Sequence, residues 1–195
     1  MRRLPTVVLL TALLVVPACA AQTAPAPPAP APPGAAATAG TEMNGLDVVF
    51  LAMLGAHTEQ TLEMVRLTRD RVAEPKLRTL VAAIEVTETD ELATMRGWLR
   101  DAGPAAAEAA RRHDHGSHGT GAEDMARLRS APDAAVDGLL LDLLAAHQEA
   151  AADLARAHQA VGADPRVRDF AGRVERSRTA QVSLLAGLAP ARRAP

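Results

Sequence analysis

The sequence predicts an all-α protein, a four-helix up-down bundle built from two repeated helical hairpins. Composition is the first ground: hydrophobic residues are 48% of the 195-residue chain, yet aromatics are only 2%, namely Phe50, Trp98 and Phe170. Ala, Leu and Val in such excess favour closely packed helices over a β-sandwich. Apolar residues also recur at helical spacing through four long segments. The third ground is internal similarity: shifted by 90 residues, Asp47 to Leu99 aligns without a gap on Asp137 to Ala189, with 13 identities in 53 positions. Asp47/Asp137, His57/His147, Glu59/Glu149, Arg66/Arg156, Pro75/Pro165 and Glu85/Glu175 are among the identical pairs. Alanine richness does not explain a matched His, because the chain has only 6.

Residues 1–18 read as a secretory signal. Arg2 and Arg3 precede an apolar stretch from Leu4 to Val16, too short for a comfortable membrane span, and small residues follow. Cys19, the sole cysteine, stands after Val16-Pro17-Ala18. This resembles the lipobox of bacterial lipoproteins, whose cysteine is lipidated as the first mature residue; the alternative is an ordinary signal-peptidase cut after Ala18 or Ala20. The expected location is the extracytoplasmic face of a bacterial membrane, with the membrane as partner through the N-terminal lipid. One cysteine excludes an internal disulfide. A mature charge of −4, once Arg2 and Arg3 are removed, gives no reason to expect a nucleic-acid partner.

Residues 19–43 carry one charge, Glu42, and six prolines, and cannot form a core. In polyproline II geometry they form a tether reaching roughly 80 Å. A ligand for a proline-recognising module is the other reading of this composition.

The four-helix domain is expected over 44–189. In the first repeat, 44–101, Phe50, Leu54, His57, Thr61, Met64 and Thr68 mark a helix from about Asn44 to Arg71. Pro75, preceded by Glu74, suits the first turn of a second helix running to about Asp101. A loop follows over 102–121, with Gly103-Pro104 and the run His113-Asp114-His115-Gly116-Ser117-His118. Neutral imidazoles in a loop suit copper, zinc or nickel, in competition with protons near pH 6.5, so His113, His115 and His118 are candidate ligands. In the second repeat, 122–189, Glu123 to Arg129 adds a helical turn before Pro132-Asp133 opens a helix bearing Leu140, Leu144, His147, Ala151, Leu154 and His158. Asp164-Pro165 opens the last helix, to about Leu188, and residues 190–195 are a tail. Helices of about 25 residues, roughly 38 Å long, bury a sizeable core only as a bundle.

Polar residues fall on stripes that should face that core. His57 lies between Phe50 and Met64, and His147 between Leu140 and Leu154. Ile84, Glu88, Glu91 and Met95 form one stripe, repeated as Val174, Arg178, Gln181 and Leu185. Unpaired burial would cost several kcal/mol each, so His57, Glu88, Glu91, His147, Arg178 and Gln181 need each other, water or a ligand as partners. The bland reading makes the histidines core residues bonded to Glu91, Gln181 or backbone. Met53, Met64 and Met95 read as core filling. Glu59 and Glu149 lie on the solvent side.

Asp47-x-x-Phe50, Leu54-x-x-His57, Met64, the acidic pair and Met95-x-x-Trp98-Leu99 resemble the bacterial domain of unknown function 305, a ferritin-like, exported and often duplicated four-helix domain, over about Asn44 to Leu188. The resemblance implies metal binding, copper being proposed for some members; His57, Glu91 and His147 keep the presumed ligand types, Thr58, Gln148 and Gln181 have lost them, Arg178 brings a cation, and Glu88 on the same stripe is a further candidate ligand. The family pattern has His-His where this chain has His57-Thr58 and His147-Gln148, and Gln-x-x-Glu where it has Glu88-x-x-Glu91 and Arg178-x-x-Gln181. Those departures suggest an internal Glu88–Arg178 ion pair in the space of a metal site.

No nucleophile elbow, phosphate loop or dinucleotide fingerprint is present in the sequence, and no Glu-x-x-His pair stands on a core stripe, so the expectation is a non-enzyme. Two functions follow: an exported, lipid-anchored bundle binding a transition metal such as copper, or a lipid-tethered structural or protein-interaction module with a degenerate metal site.

Overall fold

The computed structural model describes residues 43–106, 108 and 120–188, all within the compact unit Thr38–Pro195. Cys19 and the histidines of the 102–121 loop lie outside the described residues. Among the described residues the helices with given ranges are, in order, α1 (Gly45–Thr68), α2 (Pro75–Asp101), α3 (Ala122–Ser130), α4 (Asp133–Val161) and α5 (Pro165–Leu188); residues 104–106 and 108 are helical as well, and no strand occurs among the described residues. The long helices pair as hairpins, α1 with α2 and α4 with α5; α1 and α4 join the hairpins, while α2 and α5 touch each other less. The short α3 lies against α4 and α1.

Local chemistry sets the helix ends. Asn44 caps α1 by accepting the Asp47 N–H at 2.9 Å, and the Asp47 carboxylate accepts the Asn44 N–H at 3.0 Å. Pro75 opens α2 because a first-turn residue needs no N–H partner, and the Glu74 carboxylate accepts the Leu77 N–H at 2.5 Å. The first helix ends at Thr68, three residues before the expected Arg71. The Arg71 N–H there bonds Thr68 O at 2.8 Å in a tightened turn that buries Val72.

The core has two apolar parts with a polar layer between them. One contains Phe50, Leu54, Leu92, Met95, Ala155, Phe170 and Val174; the other contains Met64, Leu77, Val81, Ile84, Leu140, Leu144 and Leu185. On three long helices the switch from one part to the other passes polar positions, Glu88 on α2, His147 and Gln148 on α4, Arg178 and Gln181 on α5; on α1 His57 and Thr58 lie between Leu54 and Leu62 of the first part. All of these are buried. The expected core methionines split, Met64 and Met95 being fully enclosed and Met53 half-buried; Glu59 and Glu149 are exposed as expected.

Equivalent contacts recur at the 90-residue offset. Asp137 on α4 accepts the N–H groups of Ala73 and Glu74 at 3.0 and 2.8 Å, holding the turn between α1 and α2. Asp47 on α1 accepts those of Ala163 and Asp164, each at 3.1 Å, holding the turn between α4 and α5. Asp47 does more than its counterpart: it is fully buried, and His158 Nε2, on a ring stacked upon Phe50, lies 3.0 Å from Oδ1. Asp47→Ala strips partners from buried N–H groups and removes a cap, so we expect a loss of about 2 to 3 kcal/mol in urea unfolding, against about 1 kcal/mol for the half-exposed Asp137→Ala. Equal losses would show that burial does not set the difference.

Candidate functional site

The polar layer contains two knots of side chains. In the first, His57 and His147 meet across the α1–α4 contact, with His57 Nδ1 3.3 Å from His147 Nε2 and ring centroids 4.6 Å apart. His147 Nε2 also lies 2.9 Å from the His57 carbonyl oxygen. A carbonyl only accepts, so His147 carries its proton on Nε2 and its lone pair on Nδ1. That lone pair faces the Thr120 hydroxyl at 3.3 Å, and the same hydroxyl lies 3.7 Å from Met64 Sδ. Gln60 holds residue 120 there through two backbone bonds, Nε2 to Thr120 O at 2.6 Å and Thr120 N to Oε1 at 2.9 Å. Burial is the main force holding the His147 pKa below the usual imidazole value, and the Arg178 charge adds to it. The bond to His57 O opposes both. The imidazole is therefore neutral at pH 7.

The second knot is built on Arg178. Its Nε lies 3.5 Å from Glu88 Oε1, and its Nη2 donates to Glu91 Oε2. Gln148 Nε2 donates to Glu88 Oε1 at 2.6 Å. Burial pushes the Glu88 carboxyl up to about 7 and the neighbouring Glu91 adds to the rise; Arg178 and the Gln148 bond pull the other way without overcoming it. Arg178 and Glu88 are fully enclosed, whereas the Glu91 side chain is 15% exposed and reaches a groove bordered by Asp90, Phe170 and Arg173.

The two halves therefore meet through residues of equivalent position, His57 with His147 and Glu88 with Arg178. The expected ion pair between Glu88 and Arg178 is present, and Glu91 shares it. The histidines bond to each other, to backbone and to Thr120; Glu91 turns to Arg178, and Gln181 is buried without a bond at its Oε1. Among the described residues no three of His, Cys, Asp and Glu lie together as metal ligands. The expected combination of His57, His147, Glu88 and Glu91 on one ion is not formed, because Arg178 supplies the cation that the carboxylates require. His113, His115 and His118 lie outside the described residues. Sequence reasoning missed Thr120, which follows the histidine run and carries no periodic signal. It also missed the role of Asp47, although the Asp47/Asp137 identity marked the position.

The family model for the domain of unknown function DUF305 matches residues 47–189. No curated relative matches the chain. Among solved structures, a DUF305 fragment from Deinococcus radiodurans is similar with a TM-score of 0.64 and 18% identity, over 75% of this chain and 96% of that one. A DUF305 protein from Streptomyces coelicolor, described as secreted, gives 0.64 and 20%, over 73% and 91%. CopM in its Cu(I)-bound form gives 0.59 and 16%, over 72% and 93%. At these identities the likeness shows the shared helical fold. With a match spanning most of its length and the helical architecture to go with it, this chain belongs to the DUF305 family.

Proposed function

We propose that the chain is an exported, lipid-anchored helical-bundle protein that binds a soft transition-metal ion, copper(I) before others, at the Thr120 end of its polar layer, and that it is not an enzyme. One observation carries the reading: the lone pair of His147 Nδ1 and the thioether of Met64 converge on one hydroxyl, that of Thr120. Neutral imidazole and thioether are the donors a soft ion takes, and carboxylates are not. His147 and Met64 would hold the ion, His57 would orient the His147 ring, and His113, His115 and His118 precede Thr120 in the chain as further imidazoles. Bound there, copper(I) would be carried as cargo on soft donors. The Cu(I)-bound CopM supports the choice of metal, and the secreted Streptomyces coelicolor protein supports export. No described helix is long and apolar enough to cross a membrane, so attachment in this reading rests on lipid at Cys19.

A second reading, a structural or protein-interaction module with a degenerate metal site, is favoured by the capture of Glu88 and Glu91 by Arg178. Titration of the reduced protein with copper(I) against a chromogenic chelator separates the two. We expect one tightly held ion, weakened at least about tenfold by His147→Ala or Met64→Leu. Absence of binding, or binding abolished only by His113→Ala/His115→Ala/His118→Ala, refutes the bundle site. For the anchor, Cys19→Ser is expected to move the protein from the detergent phase to the aqueous phase; unchanged partitioning excludes lipidation.

A further inference from the structure

We propose that the second knot is an oxygen-lined site for a hard cation, filled by the chain's own Arg178 guanidinium. It is separate from the soft-metal site argued above and does not rest on it. Two carboxylates, Glu88 and Glu91, face a single cation, so the enclosed charges do not balance when both are ionised. Four buried oxygens of the same polar layer have no hydrogen-bond partner: Glu88 Oε2, Gln148 Oε1, Gln181 Oε1 and Thr58 Oγ1. Against these acceptors stand Arg178 Nη1 and the single proton of the Thr58 hydroxyl. Buried polar atoms are ordinarily paired, and an excess of acceptors is what a cation satisfies.

Position says the same. Thr58 stands 90 residues before Gln148, and Gln181 stands 90 residues after Glu91, so the oxygens come from all four long helices at positions that the repeat relates. The donors are carboxylate, amide and hydroxyl oxygens, which suit Mn2+ or Ca2+ and not copper(I). The guanidinium has the charge for this site, but its planar fork reaches only some of the oxygens, which accounts for those left over. Glu91 opens to the groove beside Asp90 and Arg173, and this is the route by which an ion from solvent would enter once Arg178 is removed.

The test is chemical replacement in the full-length chain. Arg178→Ala is expected to melt below the parent protein, and millimolar Mn2+, Ca2+ or methylguanidinium should restore at least about 3 °C of the loss. The parent, with its site filled, should not respond, nor should Glu88→Gln/Glu91→Gln/Arg178→Ala. No response in Arg178→Ala, or an equal response in the triple variant, overturns the proposal. Should Arg178→Ala fail to fold by itself, refolding on addition of one of these cations supports the assignment, and failure with all of them overturns it.

Discussion

The Glu88→Gln/Glu91→Gln double variant is expected to be about 3 to 5 kcal/mol less stable than the parent, the cost of leaving a buried charge without its partners. Arg178 is 1% exposed and leans on both carboxylates, so removing both strands a guanidinium in a dry interior. Each single change should cost much less, about 1 kcal/mol, because the other carboxylate remains. Glu88→Gln is mild for a further reason: with its pKa pushed up to about 7, Glu88 is already half protonated in neutral solution. Replacing Arg178 by Met in the double variant should recover much of the loss. Urea unfolding of the series checks this, and a double loss equal to the sum of the singles would show that the guanidinium is not shared.

Glu88 taken by itself should make stability fall as the pH rises from about 4.5 to about 7, on the order of 3 kcal/mol. An unfolded Glu releases its proton near 4.5, whereas the folded chain keeps it to about 7. Between these values the folded state binds the additional proton, so raising the pH favours unfolding. Two histidines act in the opposite sense. Burial lowers the pKa of His147 and of His158, against the pull of Asp47 in the latter case. Below 6.5 the unfolded chain takes up protons that these folded imidazoles refuse, so acidification costs stability. The parent protein should therefore show a shallow profile between about pH 5 and 6.5 and a decline above it. Glu88→Gln removes the decline and uncovers the histidine limb, giving a steady loss on acidification. A Glu88→Gln profile parallel to that of the parent would mean that this carboxyl titrates normally.

Much of the bundle is legible because helices announce themselves locally. Pro75 and Pro165 sit at first-turn positions, the Phe50 to Thr68 stripe has a period that only a helix satisfies, and the 90-residue offset pairs the hairpins before any coordinates. The membership of the polar layer was legible for the same reason, since His57, Glu88, His147 and Arg178 interrupt stripes that are otherwise apolar. Its wiring was not. Nothing local distinguishes a Glu91 that turns to a histidine from one that turns to Arg178, and Thr120 belongs to a stretch with no period.

Spacing along the chain therefore determined the helices, their pairing as hairpins, and the polar positions carried into the interior, because each of these depends on neighbours three or four residues apart or on a repeat of the same signal. Only the tertiary structure decided which polar groups meet. That choice is made between residues 60 to 90 positions apart, by where two helix axes cross and how far each side chain reaches. On that crossing Arg178 reached both Glu88 and Glu91, and the imidazole of His147 and the sulfur of Met64 came to one hydroxyl, that of Thr120.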